Sequence, residues 1–366
     1  MEPRLEKIEK ILQKGIQPFK ILIMPDFTVD HLIRLEEDFE SILEKMKGIA
    51  ERGGGNIPFT EHSIIRGGNA ANLASAIASL GLSVTFTSET DPLGRKLLDY
   101  FLGPLGVDCS SVTTSGRLSA TVALEFKRNG RLTNIMISDI GSIKNYGFQN
   151  VPSGIVDRLK KEMQAVAVLN WIQDWKGTEL AIEIFKIAKE NKVLSFLDTG
   201  DLSVRAKEIP QLIENLLLKK LTDIFGFNEN EALWLASYFE PDFNERRKKE
   251  ELFPLAVEAV RLLGEKFDFT ICMHTPYFAV AVKDRREYWV PTYDIEPLRA
   301  TGSGDSWNAG FITGALLGLG MEDQILLGHT TAGSYLVNPS GYHCKPEEMI
   351  KFLRERKLRP LMSFNP

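Results

Sequence analysis

The sequence predicts an α/β fold, with a central, mostly parallel sheet flanked by helices and a small β-rich lid. Two observations predict it. Short apolar runs at 20–24, 83–88, 165–170, 193–198, 223–228 and 269–273 have the length of buried strands. Helical patterns lie between most of them, at 70–80, 180–189, 209–218, 229–238 and 253–263. Strands that alternate with helices form parallel sheets covered on both faces. Two segments break the alternation and supply the lid. At 121–138, Asn129-Gly130 stands between alternating apolar residues, a strong hairpin signal. The segment 31–52 carries apolar residues at 35, 39, 42, 43 and 46 and reads as a helix with one exposed face, followed by a flexible Gly-Gly-Gly-Asn at 53–56. A further hairpin is expected at 277–290.

The bulk properties support one large domain. The chain has 366 residues, 43% hydrophobic and 25% charged, enough for a sizeable core. A formal charge of −5 argues against a nucleic-acid partner. Cys109, Cys272 and Cys344 form no C-x-x-C pair, which argues against structural zinc and for reduced thiols in the cytoplasm. No run of about 18 apolar residues occurs, so no membrane partner is expected. Leu5, Ile8, Ile11 and Leu12 mark an amphipathic helix at the start rather than a signal peptide. The expected organisation is a helical extension over 1–19 and one domain over 20–366, with lid segments at about 28–64 and 118–140.

The stretch R-A-T-G-S-G-D-S-W-N-A-G-F at 299–311 carries the chemistry. Trp307, Phe311, Ile312, Ala315 and Leu316 fit a helix that starts near Asp305. Glycines just before it let several N–H groups point one way, and the positive end of the helix dipole favours an anion. A carboxylate beside such a site can take a proton from a hydroxyl attacking a phosphoryl group. On pattern alone, Asp305 reads equally well as a helix cap. A second stretch, I-I-R-G-G-N-A-A-N at 64–72, sets Gly67-Gly68 before Asn72 at the start of a small-residue helix. Paired glycines allow a ligand close to the backbone, and Asn72 offers both donor and acceptor to a hydroxyl.

Together these stretches resemble the paired signatures of the ribokinase-like (PfkB) carbohydrate kinase family, over roughly residues 20–355. The resemblance implies a Rossmann-like domain with a β lid closing over a sugar. It implies Asp305 as the base and Gly302, Ser303 and Gly304 as the anion hole. Asp30, Gly68 and Asn72 fall on sugar-contacting positions, and Asp91 on a turn of structural role. Asn228 and Glu231 match an N-x-x-E motif that organises Mg²⁺ and phosphate through water. Asn338 falls where the family lines the adenine pocket. The expected activity is transfer of the terminal phosphoryl of ATP, or of ADP, to a sugar or sugar-like hydroxyl. A nucleoside kinase, a ribose-1-phosphate kinase and a catalytically silent sugar- or nucleotide-binding protein are the alternatives.

Three features depart from the family pattern. Pro25 replaces the glycine after the first strand. Arg299-Ala300 replaces an Asp-Thr pair whose Asp helps hold a monovalent cation. A guanidinium cannot ligate K⁺ but supplies a fixed charge, so Arg299 is expected to replace that cation; a basic residue there also hints at a phosphorylated acceptor. His274-Thr275-Pro276-Tyr277 replaces a glycine-containing turn and looks like the ADP-dependent sugar kinases of the same superfamily, with His274 near a nucleotide phosphate. The long lid segment is where a homodimer contact is expected.

Overall fold

The computed structural model describes residues 3–58, 60–128, 131–299 and 301–360. An eight-stranded sheet runs in the order β12-β11-β10-β9-β8-β7-β1-β4. Its parallel part comprises β1 (Lys20–Met24), β4 (Ser83–Phe86), β7 (Ala165–Val168), β8 (Leu194–Asp198), β9 (Ile224–Asn228) and β10 (Thr270–His274). The antiparallel hairpin β11 (Phe278–Lys283) and β12 (Arg286–Pro291) extends one edge, as the sequence predicts. A second, four-stranded sheet is the lid: β3 (Glu61–Gly67), β2 (Thr28–Asp38), β5 (Ser119–Arg128) and β6 (Arg131–Asp139), in that order. The turn expected at Asn129-Gly130 lies outside the described residues.

Strand β1 shows how two cores arise from one sheet. Successive side chains point to opposite faces. Ile21 and Ile23 enter a core with α1 (Pro3–Lys14), α3 (Asn69–Ser79), α4 (Pro92–Leu102), α11 (Ser303–Leu316), α12 (Met321–Val337) and α13 (Pro346–Glu355). Leu22 and Met24 enter the other, with α5 (Ser153–Lys161), α6 (Gly177–Glu190), α7 (Ile209–Leu212), α8 (Glu229–Phe239), α9 (Phe243–Arg246) and α10 (Leu252–Lys266). Helices α11 and α12 pack without a gap because Gly310 has no side chain; a Cβ there would lie 2.4 Å from the Leu327 carbonyl oxygen.

The structure corrects the sequence reading in two places. The segment 31–52 is not one helix. Residues Thr28–Asp38 form β2, paired with β3 on one side and β5 on the other, and only α2 (Phe39–Glu51) is helical. Asp38 ends the strand and caps the helix, its carboxylate accepting the Ser41 N–H at 2.9 Å. Ile33 and Leu35 follow the strand period and Phe39 and Ile42 the helical one, and all four meet in one small core with Phe126. The region 209–218 is likewise not one regular helix: α7 carries Pro210 in its first turn and passes into a π-turn at Ile213–Leu217.

The N-terminal helix α1 packs on the main domain. Leu5, Ile8 and Leu12 are buried against α12 and α13, and Glu9 accepts from Arg354 at 2.6 Å. Ile8→Ala is expected to lower stability by about 2–4 kcal/mol, read as a drop in the urea midpoint at unchanged slope.

Candidate active site

The parallel strands end on one rim of the sheet, where open α/β folds bind ligands. A cleft of about 580 Å³ lies there, lined by Asp198, Glu231, His274, Arg299, Gly302 and Asp305 among others. Its floor is the start of α11. Gly302 adopts a left-handed conformation (φ +79°) as the helix N-cap, so the chain turns sharply into the helix. The N–H groups of a first helical turn have no acceptor within the helix and attract an anion. Asp305 is the third helical residue, not the cap, and makes no capping hydrogen bond. Of the two roles left open by the sequence, capping is thereby removed.

The side chain of Asp305 is buried and accepts from Asn72 Nδ2 at 3.1 Å. This joins the glycine-loop stretches that the sequence separates by more than half the chain. Burial and then the charge of Asp198 push its carboxyl well above the usual range. Asn72 in turn accepts from Arg66 Nε at 3.1 Å. Arg66 received no role from the sequence, although it directly precedes the paired glycines. Asp30 sits on β2 at the base of the lid, buried, with its carboxyl pushed up to about 7 by burial and by Asp26. Gly67 must be glycine beside it, since a Cβ would lie 2.3 Å from the Asp30 carboxylate. Gly68 (φ +91°) packs against the Asp26 backbone and opens α3.

Asp26 is the second residue that sequence reasoning missed. It stands two residues after the end of β1 and accepts from the N–H groups of Asn69 (2.8 Å) and Ala70 (2.9 Å) and from Asn170 Nδ2 (2.7 Å). Gly68 has no side chain to cap α3, so Asp26 does so from a distant part of the chain. The only sequence signal is an acidic residue at a strand end. Asp91 keeps its structural role as the N-cap of α4, accepting from Gly94 at 2.7 Å.

Asp198, at the end of β8, was also missed. It accepts from Asn308 Nδ2 (2.8 Å) and from the Gly200 N–H (3.0 Å), and burial pushes it up to about 6. Glu231 is held by the Asn228 N–H (2.9 Å) and Nδ2 (2.8 Å), while Asn228 Oδ1 accepts from the N–H groups of Asn230 and Glu231. This reciprocal cap fixes both motif residues at the cleft wall. Burial, then Asp198, raises the Glu231 carboxyl well above its ordinary value. A carboxylate raised by a second one nearby suits a cation between or near them. Among the described residues, no group of three or more His, Cys, Asp or Glu side chains could hold a metal by itself.

The remaining predicted residues separate. His274 lies under the anion loop, where a Cβ on Gly304 would meet its Cε1 at 3.0 Å, and its ring sits 5.3 Å from Trp307. Burial lowers its pKa to about 4, so it faces the cleft as a neutral ring, not a cation. Arg299 Nη1 donates to the carbonyls of Tyr335 (2.8 Å) and Asn338, and its guanidinium lies 5.3 Å from the Tyr335 ring. Asn338 differs from expectation. Its side chain is spent within its own turn, donating to the Tyr342 carbonyl (2.9 Å) and accepting from the Ser340 N–H (3.1 Å), and it does not line the cleft.

The pfkB family carbohydrate kinase description matches residues 45–348. The chain is 22% identical over 322 residues to a 5-dehydro-2-deoxygluconokinase of Clostridium botulinum, covering 82% of this chain and 88% of that one. It is 24% identical over 301 residues to a ribokinase of Haemophilus influenzae, covering 80% and 88%. Its fold is similar to that of Arabidopsis thaliana ribokinase complexed with ribose and ATP, with TM-score 0.70, 15% identity and coverage of 93% and 99%. It is also similar to adenosine kinase from Sinorhizobium meliloti, with TM-score 0.68, 18% identity and coverage of 95% and 98%. The chain belongs to the PfkB family of carbohydrate kinases.

Asp26→Ala would leave buried donors on α3 and on Asn170 without an acceptor. A stability loss of about 2 kcal/mol or more is expected, read from urea unfolding.

Proposed function

We propose that this protein transfers the terminal phosphoryl group of a nucleotide, ATP in preference to ADP, to a hydroxyl of a sugar or sugar-like acceptor. The observation that carries this reading is the placement of Asp305. It is buried, bonded to Asn72, and stands in the first turn of α11 directly after the glycine loop. Asp305 takes the proton of the attacking hydroxyl as its oxygen bonds to phosphorus. The first-turn backbone at Gly302, Ser303 and Gly304 donates to the oxygens of the transferring group as charge shifts onto them. Asp30, Gly68 and Asn72 orient the acceptor from the lid side, and closure of the lid excludes water.

Glu231 and Asp198 would hold Mg²⁺ through water beside the nucleotide phosphates, and Asn228 fixes Glu231 for that role. The ion would neutralise phosphate charge as transfer proceeds. ATP is the donor to try first, since desolvation keeps His274, whose position spoke for ADP, neutral, and it brings no charge to a phosphate. Relatives named 5-dehydro-2-deoxygluconokinase and ribokinase support trying sugar acids and sugars as acceptors. Buried free thiols at Cys109, Cys272 and Cys344 fit the cytoplasm. On the lid, Ile64, Val122 and Ile137 are exposed in one row across paired strands, a face suited to a homodimer.

The test is a screen of neutral sugars, sugar acids, sugar phosphates and nucleosides, each with ATP and with ADP. Asp305→Asn is expected to lower kcat by about 10²–10⁴-fold on the best acceptor while nucleotide binding is kept. Near-normal turnover by this variant would remove Asp305 as the base. Arg299 already fills the carbonyl cradle at the end of α12, so K⁺ is expected to change turnover by less than about twofold relative to choline at equal ionic strength. Several-fold stimulation by K⁺ would overturn that assignment.

A further inference from the structure

Arg66 stands at the head of two hydrogen-bonded chains that end on the two working parts of the site. Along one, Arg66 Nε donates to Asn72 Oδ1 (3.1 Å), and Asn72 Nδ2 donates to Asp305 Oδ2 (3.1 Å). Along the other, Arg66 Nη2 reaches His343 Nδ1 (3.4 Å), His343 Nε2 lies 3.0 Å from Ser306 Oγ, and Ser306 Oγ donates to the Gly302 carbonyl at 2.8 Å. His343 is buried, stacks on Tyr335 at 4.6 Å, and also meets Ser75 Oγ at 2.9 Å.

The direction of both chains follows from one fact: a guanidinium only donates. Facing Arg66, Asn72 must present its carbonyl oxygen, so its NH₂ turns to Asp305. The flipped amide would place its oxygen against the carboxylate, which repels it. Facing Arg66, His343 Nδ1 must accept, so the proton sits on Nε2 and is donated to Ser306 Oγ. That oxygen has already given its own hydrogen to Gly302, so it can accept. Each member of each chain therefore has one permitted orientation. Among the described residues Asp305 Oδ1 has no donor, which leaves it for the acceptor hydroxyl. The register of β2 and β3 pairs Arg66 with Val29 and Asp30 with Ile65, so Arg66 and Asp30 lie on opposite faces of the lid sheet. Arg66 thus stands behind the acceptor-facing side rather than on it.

We propose that Arg66 is a positioning residue that sets the orientation of the base through Asn72 and of the anion loop through His343 and Ser306. The inference rests on the kinase reading of the site. Electrostatics act in the same direction. Around Asp305, burial, Asp198 and Asp26 disfavour the carboxylate, and Arg66 favours it. His343 is kept neutral by burial and by Arg66 and Arg299, and burial raises the Tyr335 hydroxyl, so neither adds charge at neutral pH. A base with a raised pKa works above that pKa and fails as pH falls through it. Loss of Arg66 moves that failure to higher pH.

The experiment compares wild type, Arg66→Met and Arg66→Lys on the best acceptor across pH, with melting curves to verify folding. In Arg66→Met, kcat is expected to fall about 10- to 100-fold with little change in acceptor KM, and the acid limb of kcat/KM to shift upward. Arg66→Lys keeps the charge but not the fork, so it is expected to recover the acid limb and only part of kcat. An unchanged kcat and acid limb would overturn the proposal. So would a raised acceptor KM at constant kcat, which would make Arg66 a substrate contact. A second readout needs no turnover: ¹⁵N NMR of His343 is expected to show the Nε2–H tautomer in wild type and its loss of preference in Arg66→Met. An Nδ1–H tautomer in wild type overturns the relay. A wild type without turnover on any acceptor, yet with the Nε2–H tautomer, would sink the kinase reading and leave the relay standing.

Discussion

The structure depends on keeping several carboxylates in one poorly solvated space. Asp26, Asp198, Glu231 and Asp305 converge at the carboxyl ends of the parallel strands, all buried. Asp26 raises the cost of ionising Asp198 and Asp305, and Asp198 that of Glu231 and Asp305. Such a group persists only if neighbours supply donors or opposite charge. The surrounding architecture is organised around that supply: the α3 N-terminus and Asn170 serve Asp26, Asn308 and Gly200 serve Asp198, Asn228 serves Glu231, and Asn72 serves Asp305. Side-chain amides recur because they donate without adding a charge of their own.

This arrangement also explains why cations at the site are few and fixed. Arg299 is held by carbonyls at the end of α12, where the helix dipole favours positive charge. Arg66 is held between an amide and an imidazole. Neither neutralises a carboxylate by direct pairing, which would compete with a cation brought in with a nucleotide. Both are guanidiniums, which stay charged when partly desolvated. Arg66 remains cationic at neutral pH even though burial lowers its pKa to about 10.

Much of the fold was legible because its signals are local. The strands of the parallel sheet, the edge hairpin and most helices follow from apolar periodicity, and Asp305, Gly302 and Gly304 stand out through glycine spacing. The lid was legible in outline only. Residues 31–38 alternate weakly and join a helical pattern without a break, so their strand state is decided by pairing with β3 and β5. Where the Asn338 side chain goes was not legible, because a polar residue after a helix looks alike whether it faces a pocket or bonds within a turn, as it does here.

What the sequence determined by itself was the class of fold and the two glycine-bearing stretches, since both rest on neighbouring residues and on backbone freedom. Only the tertiary structure decided that Asp26 caps α3, that Asp198 joins Glu231, and that Asn72 and Arg66 reach Asp305. These partners lie far apart along the chain, and an isolated Asp, Asn or Arg at a strand end carries no local mark of what it will meet. Their roles exist only once the strands share a rim and burial makes each unpaired polar group costly.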